Sequence, residues 1–126
     1  MTDSKSSGNI ELPDRPWNLA VTVGKSVGMK CKPDNTSKIS EWTIHRPFNR
    51  SKILVWAIRK NNTRVISSHY VFDVDEDGSA TLYINSIQLY DAGIYTCTED
   101  KTTKQPERYS AQLTVLGKFS CNLKFP

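Results

Sequence analysis

The stretch Tyr90–Cys97, which reads Tyr-Asp-Ala-Gly-Ile-Tyr-Thr-Cys, constrains the fold of this 126-residue chain more than any other feature. It ends in a cysteine that lies 66 positions after Cys31, and Trp42 stands between the two. A D-x-G-x-Y-x-C motif alone could arise by chance. Combined with a second cysteine and a tryptophan at this spacing, it indicates a β-sandwich built around the Cys–Trp–Cys set.

Alternation of apolar and polar residues predicts a series of short β-strands along the chain. The run Leu19–Val23 is a half-buried strand of this kind, and a Gly-Lys turn signal follows it. Further strands are predicted at 27–31, 40–46, 52–56, 68–74, 81–85, 94–98 and 111–116. The chain is therefore predicted to be all-β.

These features resemble the immunoglobulin superfamily. The long cysteine interval, the W-x-x-x-x-P run Trp42–Pro47 and the extra strand Lys52–Trp56 are similar to its variable set. The resemblance implies a two-sheet antiparallel immunoglobulin sandwich of V type with a C′ strand and a C″ strand. It covers a domain at residues 13–117, between a polar N-terminal extension at 1–12 and a tail or linker at 118–126.

The resemblance also assigns roles to the residues of the motif. It implies a disulfide between Cys31 and Cys97 that joins the two sheets. It further implies a core framework made of a tryptophan packed on the bridge, an acidic turn anchor, a glycine at a close approach and a tyrosine bonded to backbone. These residues are Trp42, Asp91, Gly93 and Tyr95.

Three positions depart from the family pattern. His45 stands where the family often has a Gln that meets a partner domain. His69 stands where the family usually has an Arg that pairs with the Asp of the motif, and Arg64 is an alternative partner for Asp91. The chain carries Glu107–Ser110 where antigen-receptor domains have F-G-x-G, so their pairing geometry is not implied.

Binding to a protein partner is the function that the resemblance favours, and two surfaces are candidates. Family members often dimerise through the outer face of the C-C′-F-G sheet, so a homodimer or a different protein partner is expected there. An alternative for Trp56 is burial under the following loop. The residues predicted on this face are Glu41, Thr43, His45, Ile53, Trp56, Thr96 and Thr98.

The second surface is the set of variable-like loops, at residues 32–38, 57–64 and 99–106. Seven basic residues fall in or beside them, and the net charge of +4 permits attraction to polyanions such as anionic glycans. The alternative is ordinary solvated charge. These residues are Lys32, Lys38, Arg59, Lys60, Arg64, Lys101 and Lys104.

The residue inventory argues against an enzyme. The two histidines are predicted on different sheets, two of the three cysteines belong to the bridge, and no nucleotide-binding or metalloprotease motif occurs. The run Asp73–Gly78 begins like a calcium loop, but Ile84 stands where the distal Glu ligand belongs. We therefore expect no catalytic site, no metal, no cofactor and no nucleic-acid partner.

A disulfide framework predicts an extracellular protein, either secreted or part of a cell-surface ectodomain. Sequons at Asn35, Asn49 and Asn61 agree with that compartment. The polar start of the chain contains no secretory signal, so a removed signal is expected, and any membrane anchor is expected outside the chain. Cys121 is left over and could be a free thiol or pair with another chain or domain.

Overall fold

The computed structural model describes residues 11–46, 52–59, 62–65, 69–102 and 104–117, with the backbone alone at 52–59 and 62–65. Within these ranges the chain forms nine strands and one 3-10 turn, Leu89–Asp91. The strands are β1 (Leu19–Thr22), β2 (Val27–Cys31), β3 (Ser37–His45), β4 (Lys52–Arg59), β5 (Asn62–Val65), β6 (Tyr70–Val74), β7 (Ala80–Ile84), β8 (Gly93–Lys101) and β9 (Glu107–Leu116).

The strands form a six-stranded sheet and a three-stranded sheet. The order in the first is β1-β9-β8-β3-β4-β5, and the order in the second is β2-β7-β6. Every pairing is antiparallel except that of β1 with β9, which is parallel. This confirms the predicted two-sheet sandwich of V type, in which β4 and β5 correspond to the C′ and C″ strands.

The core lies between the two sheets because each strand turns its apolar residues to the same side. Met29, Leu82 and Ile84 from the smaller sheet face Trp42 and Tyr95 from the larger one, and all five are at most 2% exposed. Cys31 and Cys97 form the predicted disulfide across this core. The indole N–H of the buried tryptophan donates a hydrogen bond to the backbone oxygen of Ala80, at 3.3 Å.

Three strands extend further towards the β2–β3 and β8–β9 loops than the sequence pattern predicts. β3 begins at Ser37, β8 continues to Lys101 and β9 begins at Glu107. The reason is cross-strand pairing, because Ser37 lies opposite Lys101, and Glu99 lies opposite Glu107. Lys38 and Lys101, predicted as loop residues, therefore belong to strands.

Candidate binding surfaces

Asp91 is the centre of the corner that precedes β8. Its side chain has no exposed surface, and Oδ2 lies 2.8 Å from Nε2 of His69 and accepts the backbone N–H of Gln88 at 2.8 Å. The hydroxyl of Tyr95 donates to the backbone oxygen of Asp91 at 2.7 Å. Of the two proposed partners for this carboxylate, His69 is therefore in contact with it. The side chain of Arg64 lies outside the described residues.

A second set of contacts joins this corner to β3. Nη2 of Arg46 donates to the hydroxyl of Tyr70 at 2.8 Å, and this hydroxyl lies 3.5 Å from Oδ1 of Asp91. Burial raises the pKa of Tyr70, so the phenol stays protonated and remains a donor. The corner thus contains a polar network that links Arg46, Tyr70 and Asp91 at the point where β8 starts.

Gly93, the first residue of β8, passes close to β3. A Cβ added there would lie 2.7 Å from the backbone oxygen of His45, a distance that real Cβ atoms do not adopt. The glycine therefore lets the two strands meet in register just below the outer row that contains His45.

The outer side of β3, β8 and β9, called the sheet face below, is the first candidate surface. Its residues are opposite one another in the cross-strand register, so the three strands build a grid. The register of β8 with β9 is unbroken from Gly93 to Glu99. The rows of the grid are Glu41–Thr98–Arg108, Thr43–Thr96–Ser110 and His45–Ile94–Gln112.

Two predicted interface residues on the sheet face have almost no exposed surface. Thr96 is 9% exposed and Thr98 is 4% exposed, because both have short side chains on a central strand with a neighbour on each side. The hydroxyl of Thr96 is also hydrogen bonded to that of Ser110, at 2.7 Å. These two threonines therefore form the floor of the face, and most of its exposed area belongs to their neighbours.

Most of the exposed groups of the sheet face come from β9. Arg108, Ser110 and Gln112 are exposed, and Ile94 on β8 exposes 45% of its surface. Sequence reasoning missed the first two because it placed Glu107–Ser110 outside any strand. The alternation of polar and apolar residues from Arg108 to Val115 was the signal that could have found them.

The predicted interface residues on β4 have a backbone register but no described side chains. Ile53 lies opposite Ile44, and Trp56 lies opposite Trp42. Both partners on β3 face the core, whereas the prediction counts Ile53 and Trp56 with the outer face. The side chains of these two residues lie outside the described part of the chain.

A shallow depression of about 320 Å³ lies at the lower end of the sheet face. Its rim on the outer side is formed by His45, Ile94, Gln112 and Thr114, and Gly93 contributes to its lining. His45 is partly buried beside the exposed Ile94. This part of the face therefore combines an exposed apolar side chain with a concave surface.

The second candidate surface, called the loop end below, consists of the β2–β3 loop, the β8–β9 loop and the β6–β7 turn. Its centre is the carboxylate of Glu99, which has no exposed surface. The carboxylate accepts the backbone N–H of Asp34 at 2.7 Å and the hydroxyl of Tyr109 at 3.1 Å. Burial raises the pKa of Glu99, but these hydrogen bonds and the charge of Lys101 outweigh burial and lower it below its ordinary value.

Lys101 is bound inside the same cluster. Its ammonium lies 2.8 Å from Asp34, 3.0 Å from Glu107 and 3.7 Å from Glu99. The hydrogen bond with Asp34 and the nearby acids raise the pKa of Lys101, and only 14% of its side chain is exposed. Three carboxylates therefore already surround the charge that the sequence analysis assigns to polyanion binding, and that role of Lys101 stays a prediction.

Arg15 connects the lead-in segment before β1 to this cluster. Its guanidinium lies 3.8 Å from the carboxylate of Glu99 and 4.3 Å from the centre of the Tyr109 ring. It also donates a hydrogen bond to the backbone oxygen of Lys32. The cluster thus holds the lead-in segment, the β2–β3 loop and the β8–β9 hairpin together. Sequence reasoning gave no role to Glu99 or Arg15.

The remaining basic residues of the loop end share it with acids. Lys38 and Lys104 are exposed, and Lys32 is partly buried. The side chains of Arg59 and Arg64, and the whole of Lys60, lie outside the described residues. The β6–β7 turn reaches this end, since a Cβ on Gly78 would lie 3.2 Å from Pro33. Exposed acids here are Asp34, Asp75, Glu76, Asp77 and Asp100.

The other predicted features fall partly within the described ranges. Asn35 is exposed in the β2–β3 loop, and Asn49, Asn61, Cys121 and most of the N-terminal extension lie outside those ranges. The described residues contain no group of three or more metal-ligating side chains that could hold an ion. No helix in the described part of the chain is long and apolar enough to cross a membrane.

Comparisons with known proteins agree with this architecture. A family model described as "Immunoglobulin V-set domain" matches residues 14–116. No match to the chain was found among curated proteins.

Three solved structures illustrate the likeness of fold. A chain from a structure of T cell activation by the bacterial superantigen toxic shock syndrome toxin-1 is 22% identical, with a TM-score of 0.63, over 80% of this chain and 94% of that one. A chicken T-cell receptor is 20% identical, with a TM-score of 0.69, over 84% of this chain and 50% of that one. Murine CRIg is 16% identical, with a TM-score of 0.63, over 81% and 94%.

Proposed function

Because the chain belongs to the immunoglobulin V-set family, we propose that it is an extracellular recognition module that binds a protein partner through the sheet face. The Cys31–Cys97 disulfide supports placement in an oxidising compartment. The partner is a cell-surface or secreted protein, and a second copy of the chain is one form that it can take.

The observation that carries this proposal is the composition of the sheet face. Its middle row, Thr43–Thr96–Ser110, is small and uncharged, so another flat surface can approach it closely. The row above has Glu41 at one end and Arg108 at the other, which gives a partner one charge of each sign to match. The row below adds the exposed Ile94.

The loop end is less suited to a protein partner. Its central charges, on Glu99, Lys101 and Arg15, are already bonded to one another or to neighbouring groups. A partner would have to break these contacts or bind the remaining exposed side chains. Paired groups of this kind contribute little new binding energy, because their interactions exist before binding.

Binding of a polyanion through basic loops is the alternative function. Within the described residues, Lys101 is neutralised by acids, and Lys38 and Lys104 stand among exposed carboxylates. Among these described residues, the mixture of signs weakens the positive potential that would attract a polyanion. The observations therefore favour the protein partner.

The test uses the secreted domain, clustered into multimers to raise its avidity. A panel of animal cells is first screened by flow cytometry for a line that binds these multimers, and binding to that line is then measured. We expect Ile94→Lys and Arg108→Glu each to abolish binding, because both change exposed positions of the sheet face. Brief trypsin treatment of the cells should also remove it, since the partner is a protein. Asp73→Lys, an exposed change on the outer side of β6, is the matched control and should bind like the parent.

Two further measurements separate the alternatives. Sedimentation equilibrium of the purified chain detects self-association, which the same two sheet-face variants should abolish. Heparinase treatment of the cells and elution from a heparin column test the polyanion. Binding that survives both sheet-face variants but disappears after heparinase would refute the proposal in favour of the loop end.

A further inference from the structure

The β2–β3 loop contains an asparagine in an exposed N-glycosylation sequon. Asn35 is followed by Thr36 and Ser37, which makes it a sequon, and both Asn35 and Thr36 are exposed. The backbone N–H of Ser37 donates to the backbone oxygen of Asp34 at 3.1 Å. Asn35 and Thr36, which lie between them, therefore form the tip of a hydrogen-bonded turn. A glycan on this side chain would point away from the core.

The base of this turn is rigid. Asp34 is held through its backbone N–H by Glu99 and through its carboxylate by Lys101, at 2.7 Å and 2.8 Å. A sugar attached one residue later would therefore start from a fixed point instead of a mobile loop.

Two depressions lie on either side of Asn35 and Thr36. The first, about 510 Å³, is lined by Asp14, Arg15 and Lys32 among others, and includes Asn35 itself. Its lining offers charged donors and acceptors, which suit the hydroxyl groups of a sugar. The second depression, about 300 Å³, lies between Lys38 and Asp100, and Thr36 lines both of them.

We propose that Asn35 carries an N-linked glycan whose first sugars lie against the polar depression beside it, and that this glycan shields the loop end. The inference rests on the extracellular placement in the proposed function. Shielding of the loop end by the glycan would explain why a recognition module uses its sheet face. Thr36, which lines both depressions, is the residue next to Asn35, so a glycan at Asn35 starts beside each of them.

The modification is a group transfer from a lipid-linked oligosaccharide pyrophosphate, the donor present in the secretory pathway. The amide nitrogen Nδ2 of Asn35 forms a bond to C1 of the first sugar. The bond between that C1 and the pyrophosphate oxygen breaks, and the lipid pyrophosphate leaves with the electron pair. The amide loses one proton, so atoms and charge balance.

The first experiment measures occupancy. The full chain is secreted from cultured animal cells behind a removable leader, and peptides are treated with an amidase in ¹⁸O water, which converts a glycosylated Asn to labelled Asp. We expect the label at Asn35, its loss in Asn35→Gln and Ser37→Ala, and its retention in Ser37→Thr, which keeps the sequon. Asn85→Gln, an exposed Asn outside any sequon, should leave the total glycan unchanged.

The second experiment measures shielding. An amine-reactive reagent should label Lys38 severalfold more slowly in the glycosylated protein than in Asn35→Gln, because Lys38 lines the neighbouring depression. Lys25, exposed in the turn after β1, is the control and should label equally in both. An unmodified Asn35 in the secreted, disulfide-bonded protein would overturn the site, and equal labelling of Lys38 would overturn the shielding. Neither outcome touches the cell-binding test of the sheet face.

Discussion

Gly93 lies at the start of β8, and the backbone oxygen of His45 lies 2.7 Å from the position that a Cβ would occupy there. Its place in the D-x-G-x-Y-x-C motif is explained by this approach, which leaves no room for a side chain. Asp91 and Tyr95 act beside it, one through its carboxylate and backbone and the other through its hydroxyl. Each residue of the motif is thus used to fix a backbone position.

Gly93→Ala should destabilise the domain by about 1–3 kcal/mol, because the new methyl group meets a backbone atom that cannot move aside. Urea denaturation followed by tryptophan fluorescence measures this change. Gly117→Ala is the matched control, since a Cβ there meets nothing within 4 Å, and its unfolding free energy should equal that of the parent. Equal stability of the two variants would contradict the steric role.

The roles of the motif residues could be predicted because the motif resembles that of the immunoglobulin variable set. Glu99 could not, since nothing in Thr98-Glu99-Asp100 distinguishes the buried acid from the exposed one. The difference arises only when Asp34 and Tyr109, far apart in the chain, meet at its carboxylate. Alternation of apolar and polar residues predicted on which side of the sheet a residue lies, but it did not predict its exposed area. Thr98 lies on the outer side as predicted, yet only 4% of its surface is exposed.

At the scale of elements, the β8–β9 hairpin extends beyond its apolar run because polar residues complete it. Glu99 and Glu107 are opposite one another, and Lys101 lies between their carboxylates. Period-two hydrophobicity stops before these positions, so a pattern based on apolar residues ends the strands too early. The charged residues that appeared to mark a loop are the ones that close the hairpin.

Acid should weaken this end of the hairpin. The pKa of Glu99 is lowered in the folded protein from its ordinary 4.5, so its contribution is complete above that pH and is lost as the pH falls through the folded value. Glu99→Gln should cost about 2 kcal/mol at pH 7, because charge-assisted hydrogen bonds are replaced by neutral ones. The difference between variant and parent should shrink towards pH 3.

Urea denaturation at several pH values between 7 and 3 measures that difference. Glu76→Gln, in the exposed β6–β7 turn, is the control and should follow the parent across the whole range. If the difference in unfolding free energy between Glu99→Gln and the parent stays constant with pH, the ionised carboxylate of Glu99 does not stabilise the cluster.

At the scale of the whole molecule, two sheets depend on a few crossings. The Cys31–Cys97 bond joins β2 of the smaller sheet to β8 of the larger one. Arg15 and Asp14 add contacts at the edge, since Asp14 accepts the backbone N–H of Lys32 at 2.9 Å. The resemblance to the immunoglobulin variable set predicted the first crossing, but the second depends on how the lead-in segment folds back.

Replacing both Cys31 and Cys97 by Ala should lower the unfolding free energy by about 2–5 kcal/mol, mainly by freeing the unfolded chain. The double variant leaves Cys121 as the remaining cysteine of the sequence, so disulfide exchange within a single chain is avoided. Urea denaturation without reductant measures the loss. A change below about 1 kcal/mol would mean that packing of the two sheets alone holds the sandwich together.

The parallel pairing of β1 with β9 has a mechanical consequence. Leu19 lies beside Leu113 and Thr22 beside Leu116, so both strands run the same way. A tension that pulls the chain before Leu19 against the chain after Leu116 slides these strands past each other and loads their hydrogen bonds together. With the bridge intact, the chain between Cys31 and Cys97 cannot lengthen beyond it. The domain is therefore arranged to resist traction along its strands.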